Sequence, residues 1–240
     1  MTDKNIAQFE NPQEKSHYVR TMFDRISAKY DLMNRLMTFG QDVRWRKLAI
    51  AATGLSKGGK LLDLGCGTGD LSFDALKVEP QLVVAADFST EMVRIGQQKK
   101  NGALNPIFTA ADGMALPFAD NAFDAAVTGF VMRNVTNIDK FIQEMVRVVR
   151  PQGKVVILEI TPFNKPLLKP FYRFYFHSIV PLLGGLVAGD REAYTYLPKS
   201  VDIFISADEL QSRMQQAGMS SVNYRLLNMG TVALHTGTVA

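Results

Sequence analysis

The sequence predicts an α/β fold: a doubly wound, mostly parallel sheet of seven strands, with an N-terminal helical segment and an insert before the last helix. Three observations predict it. Five apolar runs alternate with amphipathic helical stretches over residues 60–160, and short connections between such elements place the strands in parallel with helices on both faces. The first run ends in glycines at alternate positions, as a strand does when it turns tightly into a helix. The last two runs, 222–227 and 231–236, flank Asn228-Met229-Gly230, and a hairpin there makes the final strand antiparallel.

The elements follow in order. Residues 18–53 precede the first strand and are assigned to a helical lid. Strand 60–64 leads into Gly65-Cys66-Gly67-Thr68-Gly69-Asp70, and a helical pattern starts there. Strand 81–87 ends at Asp87, with Ser89 or Thr90 as the cap of the next helix. Strand 106–111 ends at Asp112-Gly113, and strand 123–128 runs into Gly129. Helix 138–149 is the clearest, with Ile138, Phe141, Ile142, Met145, Val148 and Val149 on one face. Pro151-Gln152-Gly153 stops it and turns the chain into strand 154–160. An insert over 161–201 follows, then a helix at 207–217 with Gly218 as its stop.

Composition bounds the function. A chain of 240 residues with 47% hydrophobic content buries a full core as one domain, and no linker or repeat divides it. The single cysteine, Cys66, excludes an internal disulfide and points to a reducing, cytoplasmic compartment. It has no neighbouring histidine and reads as a small residue filling a tight turn. Three scattered histidines give no metal-ligand spacing. The start, Met1-Thr2-Asp3-Lys4-Asn5, is polar and lacks the apolar core of a signal peptide. The net charge of +4 is dispersed, without the aromatic-basic clusters of nucleic-acid binders.

The charge of the glycine turn narrows its ligand. No Gly-Lys-Ser/Thr follows, and Asp70 stands where a dinucleotide fingerprint has its third glycine. A loop flanked by Asp63 and Asp70 suits a ligand with a positive end, and S-adenosylmethionine, with its sulfonium and ammonium groups, fits. Asp87 lies about 20 residues past the turn, where such sheets place the acid that meets ribose hydroxyls. Asp112 at the next strand tip is placed to meet the adenine edge. A lone aspartate at a strand end is usually a solvated cap. Three in series along the carboxyl edge mark a ligand site. The whole resembles the Rossmann-like architecture of class I methyltransferases.

Beyond that core lie Tyr30-Asp31-Leu32-Met33-Asn34, then Trp45; Arg133-Asn134-Val135 after the fourth strand; and Arg147-Val148-Val149-Arg150-Pro151-Gln152-Gly153-Lys154 leading to Glu159. With Phe176-His177, Tyr194-Thr195-Tyr196-Leu197-Pro198-Lys199-Ser200 and Val232-Ala233-Leu234-His235, they resemble the ubiquinone/menaquinone biosynthesis C-methyltransferase family over nearly the whole chain. Gln152 stands where that family usually has glycine, and Gly129 where many members have serine.

The resemblance implies methyl transfer from S-adenosylmethionine to a ring carbon of a polyprenylated quinol. Demethylmenaquinol is the first expectation. The alternatives are the ubiquinone-pathway 2-polyprenyl-6-methoxy-1,4-benzoquinol and another small-molecule substrate. A nucleic-acid N-methyltransferase is disfavoured, since no Asp/Asn-Pro-Pro-aromatic motif follows the fourth strand, and a non-catalytic donor-binding subunit would not need Arg133, Asn134 and Tyr30. By the same carry-over Arg133 holds the developing oxyanion, and Asn134 and Tyr30 orient a hydroxyl or a water that carries the proton away. Gly65, Gly67 and Thr68 meet the methionine end of the donor, Asp87 the ribose, Asp112 and Gly113 the adenine side, and Gly129 the wall near the sulfonium. Asp63 holds the turn or the amino group. The insert, with Phe171-Tyr172-Arg173-Phe174-Tyr175-Phe176, is too short and interrupted to span a bilayer. It reads as a lid packed on the core, and equally as a prenyl channel or a peripheral contact with the inner face of the membrane through Lys165, Lys169 and Arg173. The partners implied are the polyprenylated quinol, with no nucleic acid, and a homodimer is compatible with the resemblance.

Overall fold

The computed structural model describes residues 9, 11–99 and 105–240; the polar stretch Met1-Thr2-Asp3-Lys4-Asn5 lies outside them. Seven strands, β1 (Lys60–Leu64), β2 (Leu82–Asp87), β3 (Ile107–Ala110), β4 (Phe123–Gly129), β5 (Val149–Ile160), β6 (Met219–Leu227) and β7 (Val232–Val239), form one sheet in the order β3-β2-β1-β4-β5-β7-β6. β1 pairs in parallel with both β2 and β4, and β7 runs antiparallel between β5 and β6. The α/β class, the parallel sheet and the antiparallel last strand follow the sequence expectation. The strand order reverses at β1 and β4, and an open α/β sheet binds ligands in the crevice beyond the carboxyl ends at that point.

The helices are α1 (Pro12–Ile26), α2 (Tyr30–Thr38), α3 (Gln41–Ala52), α4 (Asp70–Ala75), α5 (Thr90–Gln98), α6 (Ile138–Val148), α7 (Lys169–Phe174), α8 (Val180–Leu183), α9 (Arg191–Asp202) and α10 (Ala207–Gln216). Local chemistry sets their ends. Pro12 opens α1, where its missing N–H costs nothing, and Asn11 accepts from Gln13 N at 2.9 Å. At α5 the cap is Ser89, whose Oγ accepts from Met92 N at 3.0 Å, with Thr90 inside the helix. Pro181 has no N–H to donate, and the turn before α8, Tyr175–Ile179, widens to a π-helix.

Three clusters of buried residues organise the interior. On one sheet face Phe141, Ile142 and Met145 of α6 and Leu210 and Met214 of α10 pack on β1, β4 and β5. On the other, Trp45, Ala49 and Ile50 of α3 pack with Leu71 and Ala75 of α4. With both faces covered, β1 is buried from Leu61 to Leu64, as a continuous apolar run requires. A third cluster joins Val19, Met22 and Ile26 of α1 and Met33 of α2 to Val180 of α8 and Tyr194 and Tyr196 of α9. The segments on either side of the core sequence thus pack on each other and roof the ligand edge.

The structure departs from the sequence reading at β5, which starts at Val149 and not at residue 154. Val149 already pairs with Phe123, and the register with β4 shifts before Ala125 meets Lys154, so the intervening residues bulge out of the ladder. Gln152 there has φ +65°, the left-handed region that a glycine would occupy without strain. β6 also starts earlier, at Met219, because exposed Ser220 and Ser221 mask its alternation.

Candidate active site

Two cavities meet beyond the carboxyl edge of the sheet. The larger, about 600 Å³, lies under the roof and is lined mainly by aromatic and apolar side chains, including Phe163, Phe171, Tyr172, Phe176 and Tyr194. The smaller, about 120 Å³, runs along the ends of β2 and β3 past Asp87, Asp112, Gly113 and Met92. Tyr30, Gly65, Gly67, Gly129, Phe130 and Asn134 line both. Of the other residues expected from sequence, Arg133 and Thr68 line the larger cavity alone.

At the tip of β2, Asp87 accepts from Gly67 N at 2.7 Å through Oδ2 and from Ser89 N at 2.8 Å through Oδ1. Its carboxyl therefore ties the glycine turn to the start of α5 and keeps a lone pair on each oxygen for a ligand. Burial pushes its pKa up, against the backbone N–H groups that favour the anion. Asp112 is exposed, and its Oδ1 accepts from Met114 N at 2.9 Å, capping the turn after β3. An acid at the tip of β2 and a turn after β3, both lining the smaller cavity, are compatible with an adenosyl group along that edge.

The glycines divide by what stands beside them. A Cβ on Gly65 would come within 2.3 Å of Val131, and one on Gly113 within 2.3 Å of Phe141, so packing alone demands glycine at both. Gly67, at φ +55°, has only Tyr30 Cε1 at 3.5 Å from that position. Gly65 and Gly69 also turn in the left-handed region, at φ +70° and +88°, but each is crowded by a side chain, so Gly67 is the one of the three whose open side faces the cavities.

The loop's charge differs from the expectation that Asp63 and Asp70 await a positive ligand. Asp63 is fully buried, accepts from Ser72 Oγ at 2.6 Å, and lines neither cavity; burial pushes its pKa up to about 7. It ties β1 to α4. Asp70 pairs with Lys99 at 3.1 Å and Arg46 at 3.2 Å. Burial would raise its pKa, yet Arg46, Lys99 and Arg35 together hold it low. The protein supplies those cations from α2, α3 and the end of α5, which the local sequence around the turn does not reveal. Cys66 is buried, and desolvation pushes its thiol well up, which suits a filler.

Contacts that sequence reasoning missed tie the roof, the loop and α5 together. Thr68 Oγ1 donates to Asp31 Oδ1 of α2 at 2.6 Å and accepts from Lys99 Nζ at 2.8 Å. Ser89 Oγ donates to Asp24 of α1. Asp31 sits inside the quoted Tyr-Asp-x-Met-Asn segment and so carried a signal. Lys99 carried none, because its reach to Thr68 exists only once α5 packs beside the turn.

On the substrate side, Arg133 Nη1 donates to Glu159 Oε1 at 2.6 Å and to Phe130 O at 2.7 Å, and its Nε is buried without a partner among the described residues. Glu159, on β5, is 1% exposed. Its charge offsets much of the guanidinium's field, so Arg133 is a paired and oriented group and not a free cation. Asn134 Oδ1 accepts from Tyr196 OH at 3.2 Å. Tyr30 is half-buried, and desolvation raises its pKa, while Asn34 works the other way. Phe130, the bulky residue after β4, has φ +63° and is held there by Leu158 O at 2.7 Å as well as by Arg133. Such strain persists where the surroundings over-determine it.

Comparison with known proteins accords with this geometry. The model of the ubiE/COQ5 methyltransferase family matches residues 11–239. A demethylmenaquinone methyltransferase of Roseiflexus castenholzii is 44% identical over 227 residues, covering 94% of this chain and 95% of that protein. The ubiquinone/menaquinone biosynthesis C-methyltransferase UbiE of Haemophilus ducreyi is 42% identical over 233 residues, covering 94% and 89%. Among solved structures, a SAM-dependent methyltransferase from Aquifex aeolicus superposes with a TM-score of 0.57 at 19% identity, covering 81% of this chain and 89% of that one, a likeness of fold alone.

Proposed function

This chain belongs to the ubiE/COQ5 methyltransferase family, and on that footing we propose that it transfers the methyl group of S-adenosylmethionine to a ring carbon of a polyprenylated demethylmenaquinol, giving menaquinol. The observation that carries the reading is the junction of the two cavities, where Tyr30, Gly67, Gly129 and Asn134 face both the donor edge and an aromatic chamber large enough for a fused ring. S-adenosylmethionine supplies an electrophilic methyl on sulfur. Asp87 binds its ribose hydroxyls, Asp112 and Gly113 border the adenine, Gly65, Gly67 and Thr68 the methionine end, and Gly129 the wall between donor and ring.

The acceptor sets the remaining demand. A ring carbon is a poor nucleophile until the neighbouring hydroxyl loses its proton, and a phenol has a pKa near 10, so the site must favour the phenolate. Arg133 donates to the ring oxygen as negative charge builds there. Asn134, oriented by Tyr196, and Tyr30 hold the hydroxyl or the water that takes the proton. The aromatic walls exclude bulk water and so strengthen each of these contacts. Only the reduced ring has a hydroxyl to ionise. Incubating the protein with labelled donor and each quinone, with and without reductant, is therefore expected to show methyl incorporation into the naphthoquinol only under reducing conditions. Equal rates on strictly oxidised substrate would contradict the reading, and turnover of the benzoquinol alone would move it to the ubiquinone-pathway substrate.

The tail of such a substrate favours a contact with the bilayer surface. No described helix is long and apolar enough to cross a membrane. Phe171 and Phe39, which line the chamber, are largely exposed, as are Leu167 and Phe174 in the same segment as Phe171; the Phe39 ring lies 6.0 Å from that of Tyr175. From residue 161 to 189 the chain has Lys165, Lys169 and Arg173 and no acidic residue. We infer that this lip rests on anionic headgroups while the prenyl chain stays in lipid. Co-sedimentation is expected to favour anionic over zwitterionic vesicles, to weaken with salt, and to drop in Leu167→Ser/Phe174→Ser. Equal binding of that variant and the wild type would remove the lip from the contact.

A further inference from the structure

Arg133 and Asn134 sit on one short turn. β4 ends at Gly129, and Met132–Asn134 closes a single 3₁₀ turn in which Asn134 N donates to Val131 O at 2.8 Å. Side chains hold part of it: Arg133 reaches Glu159 and Phe130 O, and Asn134 accepts from Tyr196. The chain then extends at once, with Val135 at φ −71° and ψ 153°, so no following turn of helix supplies donors to the last carbonyls. A donor comes instead from the roof. Lys15 Nζ, near the start of α1, donates to Val135 O at 2.8 Å and to Arg133 O at 3.4 Å. A cation is favourable there, because carbonyl dipoles leave negative charge at the end of a helical turn. Lys15 gives up hydration to make the contact: it is half-buried, and desolvation pushes its pKa down. It lines neither cavity.

The rest of α1 lies on the donor edge. Ser16, Val19, Arg20 and Phe23 line the smaller cavity, the Arg20 guanidinium stands 5.4 Å over the Phe88 ring, and Asp24 accepts from Ser89 Oγ. One helix therefore covers the donor edge and grips the turn that carries the acceptor groups. We propose that Lys15 is a positioning residue for methyl transfer: its ammonium fixes the turn that presents Arg133 and Asn134, and so ties their placement to the seating of α1 on the donor edge. This rests on the quinol reading and on the roles given there to Arg133 and Asn134. Lys15 itself touches neither substrate nor reacting atoms.

The test is Lys15→Met, which keeps the length and helix preference of the side chain and removes the ammonium. At saturating donor and quinol kcat is expected to fall about 10–100-fold, the scale of a small misplacement of catalytic groups. Donor affinity and the KM for the quinol should stay within about 3-fold of wild type. In the Arg133→Ala/Glu159→Gln background the same substitution should cost kcat about 3-fold at most, because a group it positions is already gone. Lys15→Cys alkylated with 2-bromoethylamine regains an ammonium at nearly the same reach and should recover most of kcat. Cys66, buried with its thiol pKa pushed up, should stay unreacted, which intact mass checks. A tie that serves stability alone would lower the melting temperature and leave kcat per folded molecule unchanged, and that result overturns the proposal. So does a kcat loss that is undiminished in the Arg133→Ala/Glu159→Gln background, or one that full alkylation of Lys15→Cys does not repair. Wild-type turnover of the quinol and Arg133→Ala/Glu159→Gln alone decide the underlying reading separately. If both behave as expected while Lys15→Met turns over like wild type, only the positioning role fails.

Discussion

Arg133→Ala is expected to lower kcat by about 10²–10³, the usual loss for one preorganised donor to a developing oxyanion, and to destabilise the fold at the same time. The second effect follows from Glu159, which is 1% exposed and takes a 2.6 Å bond from the guanidinium. Removing one member of a buried pair leaves an uncompensated charge and costs about 3–5 kcal/mol. A dead enzyme would therefore not by itself show a chemical role. Arg133→Ala/Glu159→Gln separates the two, because it removes both charges and should recover most of the melting temperature without recovering kcat. The measurements are kcat at saturating donor and quinol, a melting curve, and a donor titration on both variants. A folded double variant with donor affinity and kcat close to wild type would end the role given to Arg133, and Asn134 and Tyr30 would then carry the proton chemistry.

Asp87→Ala is expected to weaken donor binding by about 10–150-fold, the equivalent of 1.5–3 kcal/mol for hydrogen bonds to a charged group. Two contributions add. The carboxylate is placed to take the ribose hydroxyls, and it already holds Gly67 N and Ser89 N, so its loss also loosens the turn that the donor rests on. Asp87→Asn keeps an acceptor for the backbone and should lose less. Once the donor is saturating, kcat should be close to wild type, because Asp87 lies on the donor side of the junction. Calorimetry showing unchanged donor affinity in a folded Asp87→Ala protein would refute the assignment.

Much of this architecture is local information. The apolar runs at β1, β2 and β4 are continuous because both sheet faces are covered, and a run of that kind is visible without knowing what covers it. Ser89 and the Gly65–Gly69 turn announce helix starts through side chains and backbone freedom that act within a few residues. The same holds for the acids at the tips of β2 and β3, since a strand end is a local property and the carboxyl edge follows from the topology.

What the sequence by itself determined was therefore the class of fold, the edge where ligands bind, and, through the resemblance, the family. Only the tertiary structure decided which charges remain for a ligand. Asp70 looks like an anion awaiting a sulfonium until α3 and α5 bring Arg46 and Lys99 against it. Arg133 looks like a free cation until β5 places Glu159 beneath it. Glycines that look alike in the sequence separate into Gly65 and Gly113, demanded by Val131 and Phe141, and Gly67, which turns open toward the cavities. Each of these distinctions depends on pairs of groups tens of residues apart in the chain. Ion pairing and desolvation act over a few ångströms in space, and spacing along the chain does not encode them.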